Sequence, residues 1–299
     1  MKRIQLVLVT LALLPAVLFG AGSREEGSFT YTDVTTIEVD ADTFDVTIQP
    51  TRSDVVAMEV RNEPRNYRVY HAVRGDRVVV WVERSFSLFG GFHSGDLLFR
   101  VPVTTEIEVE TSTGDVVASG LSGDSVRMRT STGSVQLRDV DTDVGLQTST
   151  GSVTVESSRG EFDIRTSTGS IALVEIDGPV DTESSTGSQS FQSVRGDIDA
   201  ETTTGRIEFE DTVGRIRSES STGRQIGTGV LLSGDSHFES TTGNIEIDIE
   251  QELTELEFDL RSTTGSLSVG TEESQRRLFL GSSGIRVEGE TSTGSQRYF

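Results

Sequence analysis

Between Val126 and Leu137 the chain alternates apolar and polar residues on both sides of a short hydroxyl-rich turn, and this pattern returns along most of its length. Val126 and Met128 precede Thr130-Ser131-Thr132-Gly133, and Val135 and Leu137 follow it. Phe162 and Ile164 precede Gly169, with Ile171 and Leu173 after it. Alternation of period two marks a strand with one buried face. Each unit therefore predicts strand, turn, strand, turn, with two apolar faces meeting in a narrow core. The motif glycines are Gly114, Gly133, Gly151, Gly169, Gly187, Gly205, Gly223, Gly243 and Gly265, spaced by 19, then five times 18, then 20 and 22 residues. A further copy, Thr291-Ser292-Thr293-Gly294, stands out of register. A second set, Gly160, Gly178, Gly196, Gly214 and Gly234, precedes a motif glycine by nine residues each time. So regular a period predicts an all-β, single-chain β-solenoid (β-helix) of two-strand coils, stacked about 4.8 Å apart.

Parity turns the first motif residue inward: Thr130, Thr148, Thr166 and Thr202, with Ser184, Ser220 and Ser240 as equivalents. There a hydroxyl can satisfy turn backbone and stack on its copies, while the glycine takes a backbone conformation that a Cβ disfavours. By the same count Thr132 and Thr168 point inward and Ser131, Ser149, Ser167 and Ser185 outward, which argues against an outward threonine array able to bind ice. From Phe29 to about Glu106 the alternation continues without the motif, through Ile37-Val39, Phe44-Val46-Ile48, Val56-Met58-Val60, Tyr67-Val69 and Val78–Val82. Trp81 is assigned to the core.

The first 22 residues read as a secretory signal peptide: Met1-Lys2-Arg3, an apolar run from Ile4 to Phe19, then Gly20-Ala21-Gly22-Ser23. An uncleaved N-terminal anchor is the alternative. The expected organisation is thus 1–22 signal peptide, 23–106 an irregular N-terminal β segment with cap and first coils, and 107–299 the repeat solenoid. The product is exported, to the periplasm or the cell surface. Ala21 stands where a lipoprotein would carry its acylated cysteine, and the chain has no cysteine at all, so no lipid anchor of that kind, disulfide or thiolate site is expected. The formal net charge is −22, and the only lysine is Lys2. Removing Lys2 and Arg3 with the signal peptide makes it about −24. Schiff-base chemistry is excluded, and nucleic acid is a poor partner for a surface without a basic footprint.

Val101-Pro102-Val103, leading into Glu110-Thr111-Ser112-Thr113-Gly114-Asp115-Val116 and the Ser-Thr-Gly-Ser-Val steps after it, resembles a bacterial family. This is the β-helical domain of unknown function labelled "putative adhesin", and the likeness spans about Val34 to Phe299. It implies an envelope-associated, repeat-built, non-enzymatic protein, and it carries over no catalytic or binding residue.

The outward face is acidic in columns. Asp163, Asp181 and Asp199 stand six residues before motif glycines, and Glu183, Glu201, Glu219 and Glu239 stand four before. Stacked carboxylates about 5 Å apart raise one another's pKa or share a cation, so the columns are candidate ligands for Ca²⁺, bridging to an envelope glycan. A solvated acidic face relieved by Arg165 and Arg217 is the alternative. The repeats lack the Gly-Gly-x-Gly-x-Asp pattern of calcium-binding β-rolls. The spacing also fits the paired carboxyls of a retaining glycosidase, but so regular a coil lacks the irregular loops that such sites use. Phe86, Leu88, Phe89 and Phe92 form an aromatic loop, read either as a contact for a protein partner or as a cap over the first coil. Two Arg-Gly-Asp triplets, at 74–76 and 195–197, read as turn chemistry. His71, His93 and His237 show no metal-ligand spacing, and no catalytic constellation emerges.

Overall fold

A computed structural model describes residues 27–84, 94–282 and 284–299. The signal-peptide reading and the aromatic loop of Phe86, Leu88, Phe89 and Phe92 fall outside these residues. Two facing sheets, of 14 and 16 strands, share one apolar core running from Tyr31 to Tyr298. The motif sheet holds the strands that end in the hydroxyl tripeptide, such as Ser125–Thr132, Asp143–Thr150 and Phe162–Thr168. The return sheet holds the strands that follow each glycine, such as Val135–Val140, Val153–Arg159 and Ile171–Asp177. Neighbouring coils pair in parallel with an 18-residue register, Ile164 opposite Leu146 and Thr182, and Leu173 opposite Val155 and Phe191. The chain is therefore a β-solenoid, as its period predicts.

The motif residues explain the turn. Thr130, Thr148 and Thr166 are buried, and each donates its hydroxyl to the motif-glycine carbonyl of the coil before it: Gly114, Gly133 and Gly151, at 3.2, 3.1 and 3.3 Å. Gly151 sits at φ +151°, and a Cβ there would overlap the Gly133 carbonyl, so the coils meet backbone to backbone. The inward parity stops one residue short of the strand end. Thr132 and Thr168 are exposed, and with Thr150, Thr186, Thr204, Thr222 and Thr242 they form a single outward column along the turn edge. This corrects the inward placement of Thr132 and Thr168 and removes the parity argument against outward threonines. A single column supplies registry along the axis only. Trp81 is a second correction: it lies on the outward side of its strand, half-buried, stacked on Tyr70 at 5.5 Å.

Inside, large residues on one sheet face small ones on the other. Phe191 and Phe209 stack at 5.3 Å in the return sheet, where the motif strands of neighbouring coils carry the small buried residues Thr182, Ala200 and Ser218, and Phe238 meets Phe209 edge-on at 6.4 Å. Each fully buried aliphatic or aromatic side chain contributes about 1.5–3 kcal/mol. Three buried glutamines cross the core to backbone carbonyls of the motif sheet. Gln189 donates to Glu201 at 2.7 Å, Gln225 to Glu239 at 2.6 Å, and Gln296 to Arg261 at 2.7 Å.

Both ends are stacked out of sequence order. Ile285–Thr293 lies between Ser236–Thr242 and Leu256–Thr264, and Gln296–Tyr298 lies between Ile245–Ile249 and Leu267–Val269. The last segment is thus the penultimate coil, with Thr291 in register with Ser240 and Ser262, and Tyr298 is fully buried between Phe238 and Phe258. At the other end, Thr36–Asp40 and Asp45–Thr51 are likewise tucked inside Arg77–Arg84 and Asp96–Pro102. Antiparallel strands close each end, which removes long parallel edges from solvent.

Candidate functional site

The solenoid register places the predicted acidic residues as counted. Asp163 is opposite Asp181 and Asp181 opposite Asp199, all on the outward face of the motif sheet. Glu183, Glu201, Glu219 and Glu239 form the neighbouring column, which continues to Glu290 on the threaded C-terminal strand. Strand alternation turns these side chains outward because Ile164, Thr182, Ala200 and Ser218 between them are buried. Gln189 and Gln225 then fix the carbonyls of Glu201 and Glu239 from inside.

Two arginines flank the patch. Arg165 contacts Asp163 at 2.7 Å and Glu183 at 3.5 Å, and Arg217 contacts Glu219 at 2.5 Å and Asp199 at 3.9 Å. Asp181 and Glu201 lie in the coils between them. Partial burial pushes the Asp181 carboxyl above the ordinary carboxylate range, and the charges of Asp163 and Asp199 push it the same way. Burial is the larger of the two causes, and the like charges of the neighbouring coils add to it.

The Asp column ends differently. Arg217 is opposite His237, His237 opposite Glu288, and Glu288 opposite Asp259. Donor atoms of Glu219, His237 and Glu239 lie within 4.8 Å of one another, all three residues half-buried. Sequence reasoning set His237 aside, although it too stands six residues before a motif glycine, in the column that holds the aspartates. Asp259 is 4 % exposed and meets Arg261, Arg277 and Arg286 at 3.0, 3.4 and 3.2 Å. Burial alone would raise its pKa, but hydrogen bonds and charges from Arg261 and Arg277 outweigh it and hold the carboxyl below the usual range.

A second surface was not foreseen. Six residues after successive motif glycines stand Asp139, Ser157, Glu175, Ser193 and Asp211, with φ between 49° and 57°. Gly120 and Gly229, at φ +66° and +64°, extend the same column and are its signal in the sequence. The left-handed corner bends each return strand and lines a groove of about 630 Å³. Its charges are partly paired, Arg159 with Asp177 at 3.1 Å, and the Ser157 hydroxyl donates to Glu175 at 2.7 Å.

The Arg-Gly-Asp triplets both lie at turns. Gly75 sits at φ +66° at the exposed tip of the hairpin of Tyr67–Arg74 and Arg77–Arg84, and Asp76 accepts from Thr35 at 2.9 Å. Gly196 sits at φ +152° in the half-coil glycine column, and Asp197 pairs with Arg215 at 3.2 Å. Among the described residues, no helix is long and apolar enough to cross a membrane.

Two-strand coils, a hydroxyl–glycine turn and outward columns of repeated side chains define the class: a single-chain β-solenoid built from repeats. The chain belongs to the Toastrack DUF4097 family, whose model matches residues 34–225. Solved structures to which the chain is similar include one described as a "putative adhesin" from Parabacteroides distasonis ATCC 8503, 12% identical, covering 93% of this chain and 98% of its own, with a TM-score of 0.41. A "putative lipid binding protein" from the same organism is 11% identical over 91% of this chain and 96% of its own, with a TM-score of 0.42. A "putative cell adhesion protein" from Clostridium sporogenes ATCC 15579 is 8% identical over 92% and 99%, with a TM-score of 0.24. No curated protein matches the chain.

Proposed function

We propose that the protein is an exported, non-enzymatic scaffold of the cell envelope whose acidic face gathers divalent cations and, through them, holds an anionic envelope glycan. The observation that carries this reading is the register of the two carboxylate columns. Asp163, Asp181 and Asp199 stack beside Glu183, Glu201, Glu219 and Glu239, with guanidinium groups contacting members at both ends of the patch. Hard cations such as Ca²⁺ take six to eight oxygen ligands in flexible geometry, which adjoining outward carboxylates and water can supply. A repeated site also suits a repeated polymer, because weak contacts on several coils add through effective concentration.

The test is calcium titration calorimetry on the mature chain and on a variant carrying Glu183→Gln, Glu201→Gln and Glu219→Gln. Saturable heat at about 0.15 M salt, lost in the variant, is the expected result. No heat, or the same weak heat in both proteins, overturns the reading and leaves the columns as a solvated face.

A further inference from the structure

Where the carboxylate columns reach the C-terminal coils, their chemistry changes. His237 is the one imidazole among the described members of the Asp column, and it stands on Ser236–Thr242 beside Glu239 of the same strand. Its Nε2 lies 3.5 Å from a Glu239 carboxylate oxygen, and its Nδ1 lies 3.7 Å from a Glu288 oxygen on the threaded C-terminal strand. Glu219 approaches from the preceding coil, so that one donor atom each of Glu219, His237 and Glu239 falls within 4.8 Å of the others. The side chains of His237 and Glu219 are only 30% and 28% exposed, so the cluster is partly shielded from water.

We infer that Glu219, His237 and Glu239 form a binding site for a single borderline divalent metal ion of the Zn²⁺ class, with Glu288 orienting the imidazole. Two carboxylates and one imidazole match the ligands that Zn²⁺ takes, at about 2.0–2.2 Å each, with a fourth position left open to water. Closing from the present separations asks for side-chain movements of about 1 Å, which surface rotamers supply. The two ring nitrogens face two different carboxylates. With Nε2 on the metal beside Glu239, Nδ1–H is left to donate to Glu288, the carboxylate–histidine–metal arrangement that fixes a ligating ring. Imidazole discriminates against Ca²⁺, which prefers oxygen alone, so this site does not rest on the calcium reading although it shares Glu219 and Glu239 with it. Arg217 opposes the site. Two of its guanidinium nitrogens contact the same Glu219 oxygen, Oε1, at 3.0 and 2.5 Å, and its positive charge beside that carboxylate opposes an entering cation.

A bound ion would join Ile216–Thr222 to Ser236–Thr242 directly, and through Glu288 to the strand that threads back from the C-terminus. The experiment is Zn²⁺ titration of the metal-free mature chain by calorimetry, with Co²⁺ absorption as a second readout of ligation. The expected result is one ion per chain, weakened about 100-fold or more by His237→Ala and about 10-fold by Glu288→Gln, with calcium heats unchanged in both. Arg217→Gln should bind Zn²⁺ more tightly than the parent, a gain that misfolding cannot produce. Equal Zn²⁺ binding by the parent and His237→Ala, or no tightening in Arg217→Gln, overturns the site. Loss of calcium heat in the Glu183, Glu201, Glu219 variant leaves this test untouched, because only the imidazole separates the two ions.

Discussion

At the scale of single residues, glycine does two different jobs that the sequence does not distinguish. Gly151 lies at φ +151° with the Gly133 carbonyl where a side chain would begin, and both neighbouring coils are hydrogen-bonded to its own. Nothing there can move without breaking a ladder. Gly145 lies in the outward Asp column, and a Cβ on it would meet only the Arg127 side chain, at 3.9 Å. We therefore expect Gly151→Ala to cost about 3 kcal/mol or more and Gly145→Ala to stay within about 0.5 kcal/mol, read by denaturant unfolding. Similar losses at the two positions would mean that backbone approach is not what selects glycine at the turn. Residue counting found Gly151, the inward Thr130 and the outward Asp181 without error. It failed at Thr132, because alternation is a property of a strand and Thr132 is where the strand ends. The grouping of His237 with Glu219 and Glu239 is invisible to residue spacing for a related reason: in a solenoid the relevant neighbour is one coil away.

At the scale of elements, the order of coils in space departs from the order in sequence at both ends. A fixed period locates each coil but not its place in the stack, so the motif at Thr291–Gly294 looks out of register until its partners at Ser240 and Ser262 are known. The reason for threading is energetic. Leu256–Thr264 and its hairpin partner Arg277–Leu280 form an outer cap, and the C-terminal strand fills the layer beneath with Tyr298 between Phe238 and Phe258. Asp259 and its three arginines link the same three segments, since Arg277 and Arg286 belong to the hairpin and the threaded strand. Deleting residues 285–299 should then free two parallel edges at once. The expected outcome is rapid proteolysis confined to residues beyond about 250, together with self-association seen by size-exclusion chromatography. A truncated chain that stays monomeric and resists protease as the parent does would show that the outer cap packs without the inserted strand.

At the scale of the whole molecule, charge opposes the fold that the core supports. A chain of net charge −22 repels itself when compact, and the carboxylate columns concentrate that repulsion on one sheet face. Asp181 feels its own partial burial first and, after it, this repulsion from Asp163 and Asp199. Its folded pKa lies above the ordinary 3.8, so between that value and the raised one the native state binds more protons than the unfolded chain. Stability therefore falls as pH rises through this window, and the charged Asp181 is a net cost at neutral pH. Asp259 has the opposite sign, because its lowered pKa contributes stability above 3.8 that is lost as pH falls further. Salt should distinguish them, since screening length shrinks from about 30 Å at 0.01 M to about 8 Å at 0.15 M, which weakens repulsion between exposed coils more than the contacts at buried Asp259. We expect Tm at pH 7 to rise between these two salt concentrations. Asp181→Asn should be more stable than the parent by about 0.5 kcal/mol at low salt, with the difference shrinking at 0.15 M and vanishing below pH 3.8. A variant less stable than the parent at low salt would mean that Asp181 is held by favourable partners. The acidic face would then be a stabilising feature of the solenoid, and the strain that a bound cation is expected to relieve would not exist.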